Sequence, residues 1–154
     1  MCTLMAGFSF GGVAKAQELT LAQCPAVVQA TIRNNGQGGT LNEIKLVDRD
    51  GVSLYVAEID LGEKRDLKLY ITQEGSISRS RQEIVFNQVP PAVRRAVLSV
   101  MPAGAEVTDV DMETADGTST YVIEFPISPT RERKLTLNAN GVVLSEHEKE
   151  KRQR

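Results

Sequence analysis

The chain has 154 residues, of which 41% are apolar and 25% charged, and a formal charge of −2 at neutral pH. This composition excludes a disordered chain, and its near-balanced charge argues against an electrostatic grip on nucleic acid. With no tryptophan and 5% aromatic residues, stacking platforms for sugars or single-stranded nucleic acid are disfavoured too.

Residues 1–16 read as a leader. The stretch 4–13 is apolar and rich in small residues, and Ala14-Lys15-Ala16 fits the small-x-small pattern of a signal-peptidase site. It is shorter than the ~20 apolar residues a membrane-spanning helix needs. A charged segment ahead of Leu4 is missing, which places the expected start upstream. The reading predicts an exported protein, periplasmic or secreted, with no membrane insertion once the leader is removed. The remaining chain keeps one cysteine, Cys24, so it has no internal disulfide and is stabilised by packing alone.

Beyond the leader the chain is written twice. Displaced by 66 residues, the segment 25–79 falls on 91–145 without a gap. Asp50-Gly51-x-Ser53-x-Tyr55-Val56-x-Glu58 lands on Asp116-Gly117-x-Ser119-x-Tyr121-Val122-x-Glu124. An internal repeat of this length sets the expected architecture before any single motif does. Each copy is predicted to open with a helix, because Pro25 and Pro91 suit a first helical turn. Val27, Ala30 and Thr31, then Val93, Ala96 and Val97, are read as the apolar stripes.

Strands are predicted at 40–49, 52–61, 67–72 and 76–84, with counterparts in the second copy. Asp50-Gly51, Glu74-Gly75, Asp116-Gly117 and Asn140-Gly141 mark the turns. Alternation puts Tyr55, Ala57, Ile59, Leu69 and Ile71 on a core face, with Tyr121, Ile123, Phe125, Leu135 and Leu137 doing the same later. Pro126 ends its strand, because proline cannot donate to a ladder. The polar segment 146–154 is expected to fray. The predicted fold class is α+β: two tandem αββββ repeats, 17–83 and 84–148, forming a largely antiparallel eight-stranded sheet with helices on one face and a charged tail at 149–154.

The helix opening Pro-Ala-Val, the Asp-Gly hairpin into Tyr-Val-x-Glu and the final Asn/Asp-x-x-Gly hairpin resemble the tandem PepSY-like superfamily. That family's fold is similar to the β-lactamase inhibitory protein. The resemblance implies an exported, non-catalytic module that binds a protein, such as a secreted hydrolase it inhibits or regulates, through the exposed sheet face. On that face Val56, Tyr70 and Val122 are the expected anchors. Lys45, Glu58, Lys68, Asp111 and Glu124 are expected to set electrostatic fit.

Other candidates carry less chemistry. Asp109, Asp111 and Glu113 alternate along one strand and form, with Glu124, an acidic patch suited to a basic partner. As the alternative function, that strand would make the protein a periplasmic binder of calcium or a small ligand. Cys24 precedes a helix but has no base near it in sequence, since His147, the one histidine, lies in the charged tail. His147 alone cannot build a zinc site. Asp48-x-Asp50-Gly51 lacks the twelfth-position glutamate of a calcium loop, where Ile59 stands instead, and reads as a hairpin. Gly36-x-Gly38-Gly39 follows a helix rather than a strand, the reverse of a phosphate-binding loop. Arg79 and Arg81 either meet the acidic face of the second copy across the junction or keep an edge strand soluble, and the second reading is favoured. No enzyme activity and no cofactor are expected.

Overall fold

A computed structural model describes residues 16–151. The leader therefore lies, except for Ala16, outside the described residues, as do 152–154. Among the described residues there are nine strands: β1 (Ala16–Leu19), β2 (Thr40–Arg49), β3 (Val52–Asp60), β4 (Asp66–Ile71), β5 (Ile77–Glu83), β6 (Asp109–Ala115), β7 (Thr118–Pro126), β8 (Arg131–Asn138) and β9 (Val143–Glu150). The two α-helices are α1 (Ala26–Asn35) and α2 (Pro91–Val100), each preceded by a single 3-10 turn.

All nine strands join one antiparallel sheet in strict chain order. The turn chemistry explains the order. Asp50 and Gly51 both take positive φ, 52° and 77°, and Asp116 and Gly117 repeat this at 51° and 73°. That geometry matches the twist of the flanking strands and closes two-residue hairpins.

The expected fold class is corrected on this point. The chain does not form two tandem αββββ repeats making an eight-stranded sheet; it is mostly β, one nine-stranded sheet with two short helices. The additional strand, β1, pairs Gln17 with Leu46 and Leu19 with Ile44. The segment expected to fray is also corrected, because β9 continues to Glu150 and pairs along β8. Its charges stay attached to the sheet: Arg133 donates to Glu148 at 2.7 Å and lies in an ion pair with Glu146 at 3.0 Å.

Both helices cover the same face of the sheet, but not with the predicted stripes. α1 buries Val28 and Ile32, whereas Val27 is 50% exposed. α2 buries Val93 and Val97. Equivalent helix positions are thus 65 residues apart, while the hairpins remain 66 apart, and the added residue falls between α2 and β6. Cys24 consequently matches Val89 rather than Pro90, and both are buried.

The core is divided. Under α1 lie Ile44, Ala57, Ile59, Leu69 and Ile71. Under α2 lie Val110, Ile123, Phe125, Leu135 and Leu137. β5 contributes no buried side chain to either cluster. The two halves are therefore joined at β5–β6 by the backbone ladder and by charged side chains.

Candidate functional site

The helix-free face of the sheet is where the chain leaves chemistry uncommitted. Lys45, Val56, Tyr70 and Arg79 stand in register across β2 to β5, so one row of side chains crosses four strands. With Val47 and Leu54 they border an open cleft of about 390 Å³, whose floor is apolar and whose rim includes Glu58 and Lys68. Tyr70 is held by Arg79, whose guanidinium lies 5.2 Å from the ring centroid. Every cation of the rim has a carboxylate: Lys45 with Glu43 at 2.6 Å, Arg79 with Glu113 at 3.0 Å, and Lys68 with Glu58.

A second open cleft of about 290 Å³ adjoins the first along β4 and extends across the centre of the sheet to β6. Glu58 and Lys68 border both clefts. Asp66, Leu67, Arg81, Glu83, Asp109 and Asp111 line the remainder. Arg81 donates to Asp111. Burial pushes the Asp109 carboxyl above its ordinary range, with Asp111 and Glu124 adding to the rise. Burial likewise raises Glu83, helped by Asp109, Asp111 and Asp66.

Of the residues expected to bind a partner, Lys45, Val56, Glu58, Lys68 and Tyr70 come together around the first cleft. Asp111 belongs to the second cleft, but at 4% exposure its carboxylate is occupied by Arg81. Val122 is 6% exposed, flanked by Asp111 and Thr136, and offers no surface for an anchor. Glu124 is also buried. It pairs with Lys134 at 3.1 Å and Lys149 at 2.8 Å. Burial raises its carboxyl, but the hydrogen bonds from Lys149 and Lys134 outweigh this and hold it below the ordinary range.

The acidic strand is spoken for in the same way. Arg81 and Arg79 occupy Asp111 and Glu113, leaving Asp109 alone of the three. Among the described residues, no group of three or more histidine, cysteine, aspartate or glutamate side chains is arranged to hold a metal ion. The edge-strand reading of Arg79 and Arg81 is corrected, because β5 lies at the middle of the sheet and both arginines reach across to β6. His147 is exposed on β9, opposite Lys134. Asp48 accepts a hydrogen bond from Ser53 across the β2–β3 hairpin, so that motif is a turn. Burial raises the Cys24 thiol, whose Sγ donates to the Thr20 carbonyl at 3.5 Å.

Sequence reasoning missed Asp66 and Glu83. Their signal was present in the strand period: Asp66 precedes Lys68 by two residues and Glu83 follows Arg81 by two, so each shares its face.

No protein-family model matches the chain, and no curated protein matches it. Solved structures do. A DUF2874 family protein from Bacteroides uniformis is similar at a TM-score of 0.60 and 20% identity, over 81% of this chain and 89% of that one. A protein from Bacteroides eggerthii, provisionally described as periplasmic, gives 0.60 and 18%, over 81% and 88%. A BLIP-like protein from Bacteroides fragilis gives 0.57 and 19%, over 81% and 86%. At these identities the likeness is one of fold: the chain has a BLIP-like fold.

Proposed function

We propose that this chain is an exported, non-catalytic protein-binding module of the PepSY-like kind, which grips its partner with the helix-free face of its sheet. The observation that carries this reading is the cleft around Tyr70. Val47, Leu54, Val56 and Tyr70 form an apolar floor on a face that no helix of the described residues covers, within a rim of charges that already have ion-pair partners. A solvated sheet face has no need of such a floor, while a binding surface uses an apolar centre inside a polar rim.

The leader-like segment and the likeness to a protein described as periplasmic support an exported location. The likeness to a BLIP-like protein prompts the partner class we favour, a secreted hydrolase that this chain would restrain. Affinity capture from the native exported proteome tests the reading, with parent and Val56→Arg as baits and the captured protein identified. One protein held by the parent and lost by a folded Val56→Arg variant, with β3 and β4 protected from hydrogen exchange in the complex, is the expected outcome. Equal capture by both baits overturns it.

A further inference from the structure

We infer that the partner segment received by this face is extended and carries an apolar side chain and a cationic one about four residues apart; this rests on the binding role of the helix-free face. The two clefts are contiguous, with the Glu58–Lys68 ion pair as their shared wall. They differ in what they leave unsatisfied. In the first, each cation already has its carboxylate, so apolar surface is what remains to be covered.

In the second, Lys68 neutralises Glu58 and Arg81 neutralises Asp111, whereas Asp66, Glu83 and Asp109 make no ion pair among the described residues. An acidic segment laid across these carboxylates would be repelled. A neutral one would strip their water and return no counter-charge, which is costly for a carboxylate. A lysine or arginine satisfies them.

The spacing follows from β4 itself. Tyr70 borders the apolar cleft and Asp66 the acidic one, four residues earlier on the same face. At about 3.3 Å per residue the two sites are about 13 Å apart. An extended segment running along β4 repeats that distance between side chains four residues apart.

Selection of a displayed library of random linear dodecapeptides on the whole chain tests this. Affinities of the enriched peptides would then be measured for the parent, Val56→Arg and Asp66→Asn/Glu83→Gln. The expected peptides pair a large apolar residue with lysine or arginine four positions away. Replacing the cation by citrulline or norleucine should weaken binding to the parent about tenfold. The same replacement should change binding to Asp66→Asn/Glu83→Gln by less than about twofold. If that double variant does not fold, the salt dependence of parent affinity decides instead, since it should be steep for the cationic peptide and flat for its citrulline form. Peptides that bind the parent, are lost with Val56→Arg and lack a cation would overturn this inference while leaving the binding face in place. Peptides indifferent to Val56→Arg, or no enrichment, would overturn both.

Discussion

Arg81 on β5 bonds Asp111 on β6 diagonally, although the residue opposite it in register is Glu113. The pair sits at the border of the two cores: β5 buries no side chain, while β6 gives Val110 to the cluster under α2. Together with Arg79–Glu113 at 3.0 Å, it supplies side-chain contact between the two halves.

The two partners of this ion pair are not equivalent. Asp111 is buried, whereas the Arg81 side chain is 43% exposed. Removing the arginine strands a buried carboxylate, and removing the carboxylate frees an arginine that water can solvate. Arg81→Ala is therefore expected to destabilise by about 2 kcal/mol, the buried-pair cost discounted for the exposed guanidinium. Asp111→Asn, which keeps a polar group in place, should cost about 1 kcal/mol. Urea unfolding midpoints for the two variants check the order, and a larger loss for Asp111→Asn contradicts it.

Asp109 and Glu124 stand opposite each other on β6 and β7, and their protonation equilibria are displaced in opposite directions. Asp109 faces Asp111 and Glu124, with Arg81 and Lys134 compensating in part. Its raised carboxyl makes the folded state hold its proton more tightly than the unfolded chain does, so stability falls as pH rises through the window between the ordinary and the raised value. Glu124 is held by Lys134 and Lys149 and is lowered, so its contribution is full above the ordinary carboxylate value and is lost as pH falls from there through the lowered one. Asp109→Asn should accordingly raise the melting temperature at pH 7, and Glu124→Gln should lower it. Both differences should shrink towards pH 3, where the unfolded carboxyls are also protonated, and melting curves across that range check the signs.

The two turns closing β6–β7 and β8–β9 predict unequal tolerance of a side chain. Gly117 has φ 73°, and a Cβ there meets nothing within 4 Å. Gly141 has φ 80°, and its Cβ would lie 2.5 Å from the Ala92 carbonyl oxygen on α2. Gly117→Ala should cost about 1 kcal/mol, the strain of a left-handed residue alone. Gly141→Ala adds a backbone collision that requires α2 to lift from the sheet, and should cost about 3 kcal/mol or more. Thermal unfolding of both variants provides the comparison, and equal losses would mean that the helix yields freely.

Much of the sheet could be read from the chain because its turns are chemically specific. Asp50-Gly51 and Asp116-Gly117 fixed two hairpins, and strand alternation placed Ile59, Leu69 and Phe125 in the core. The helices slipped by one residue because Pro90 and Pro91 are adjacent, and either can be aligned with Pro25. Only packing against the sheet selects Val28 over Val27. β1 is four residues long and lies outside the repeated segment, so no periodicity announced it. Glu146 to Glu150 looked disordered because every side chain is polar, yet the arginines of β8 hold them in a ladder. Val122 alternated onto the exposed face as expected, but exposure also depends on neighbours such as Asp111 and Thr136, which strand periodicity alone does not reveal.

The equivalence of Cys24 and Val89 makes a prediction about the lone thiol. Both residues close a 3-10 turn and precede the proline before their helix, and both are buried in the core beneath it. If Cys24 serves as a small apolar residue, Cys24→Val should change stability by no more than about 1 kcal/mol, since the site's counterpart already accepts that shape. Cys24→Ser places a hydroxyl among apolar neighbours and should cost about 2 kcal/mol. Because burial raises the thiol, it stays protonated at mildly alkaline pH and is shielded from reagents. Labelling by a thiol-specific disulfide reagent at pH 8 should therefore proceed at the rate of local opening, and become fast only in denaturant. Rapid labelling of the native protein, or a large loss of stability in Cys24→Val, would mean that the sulfur has a role its valine counterpart lacks.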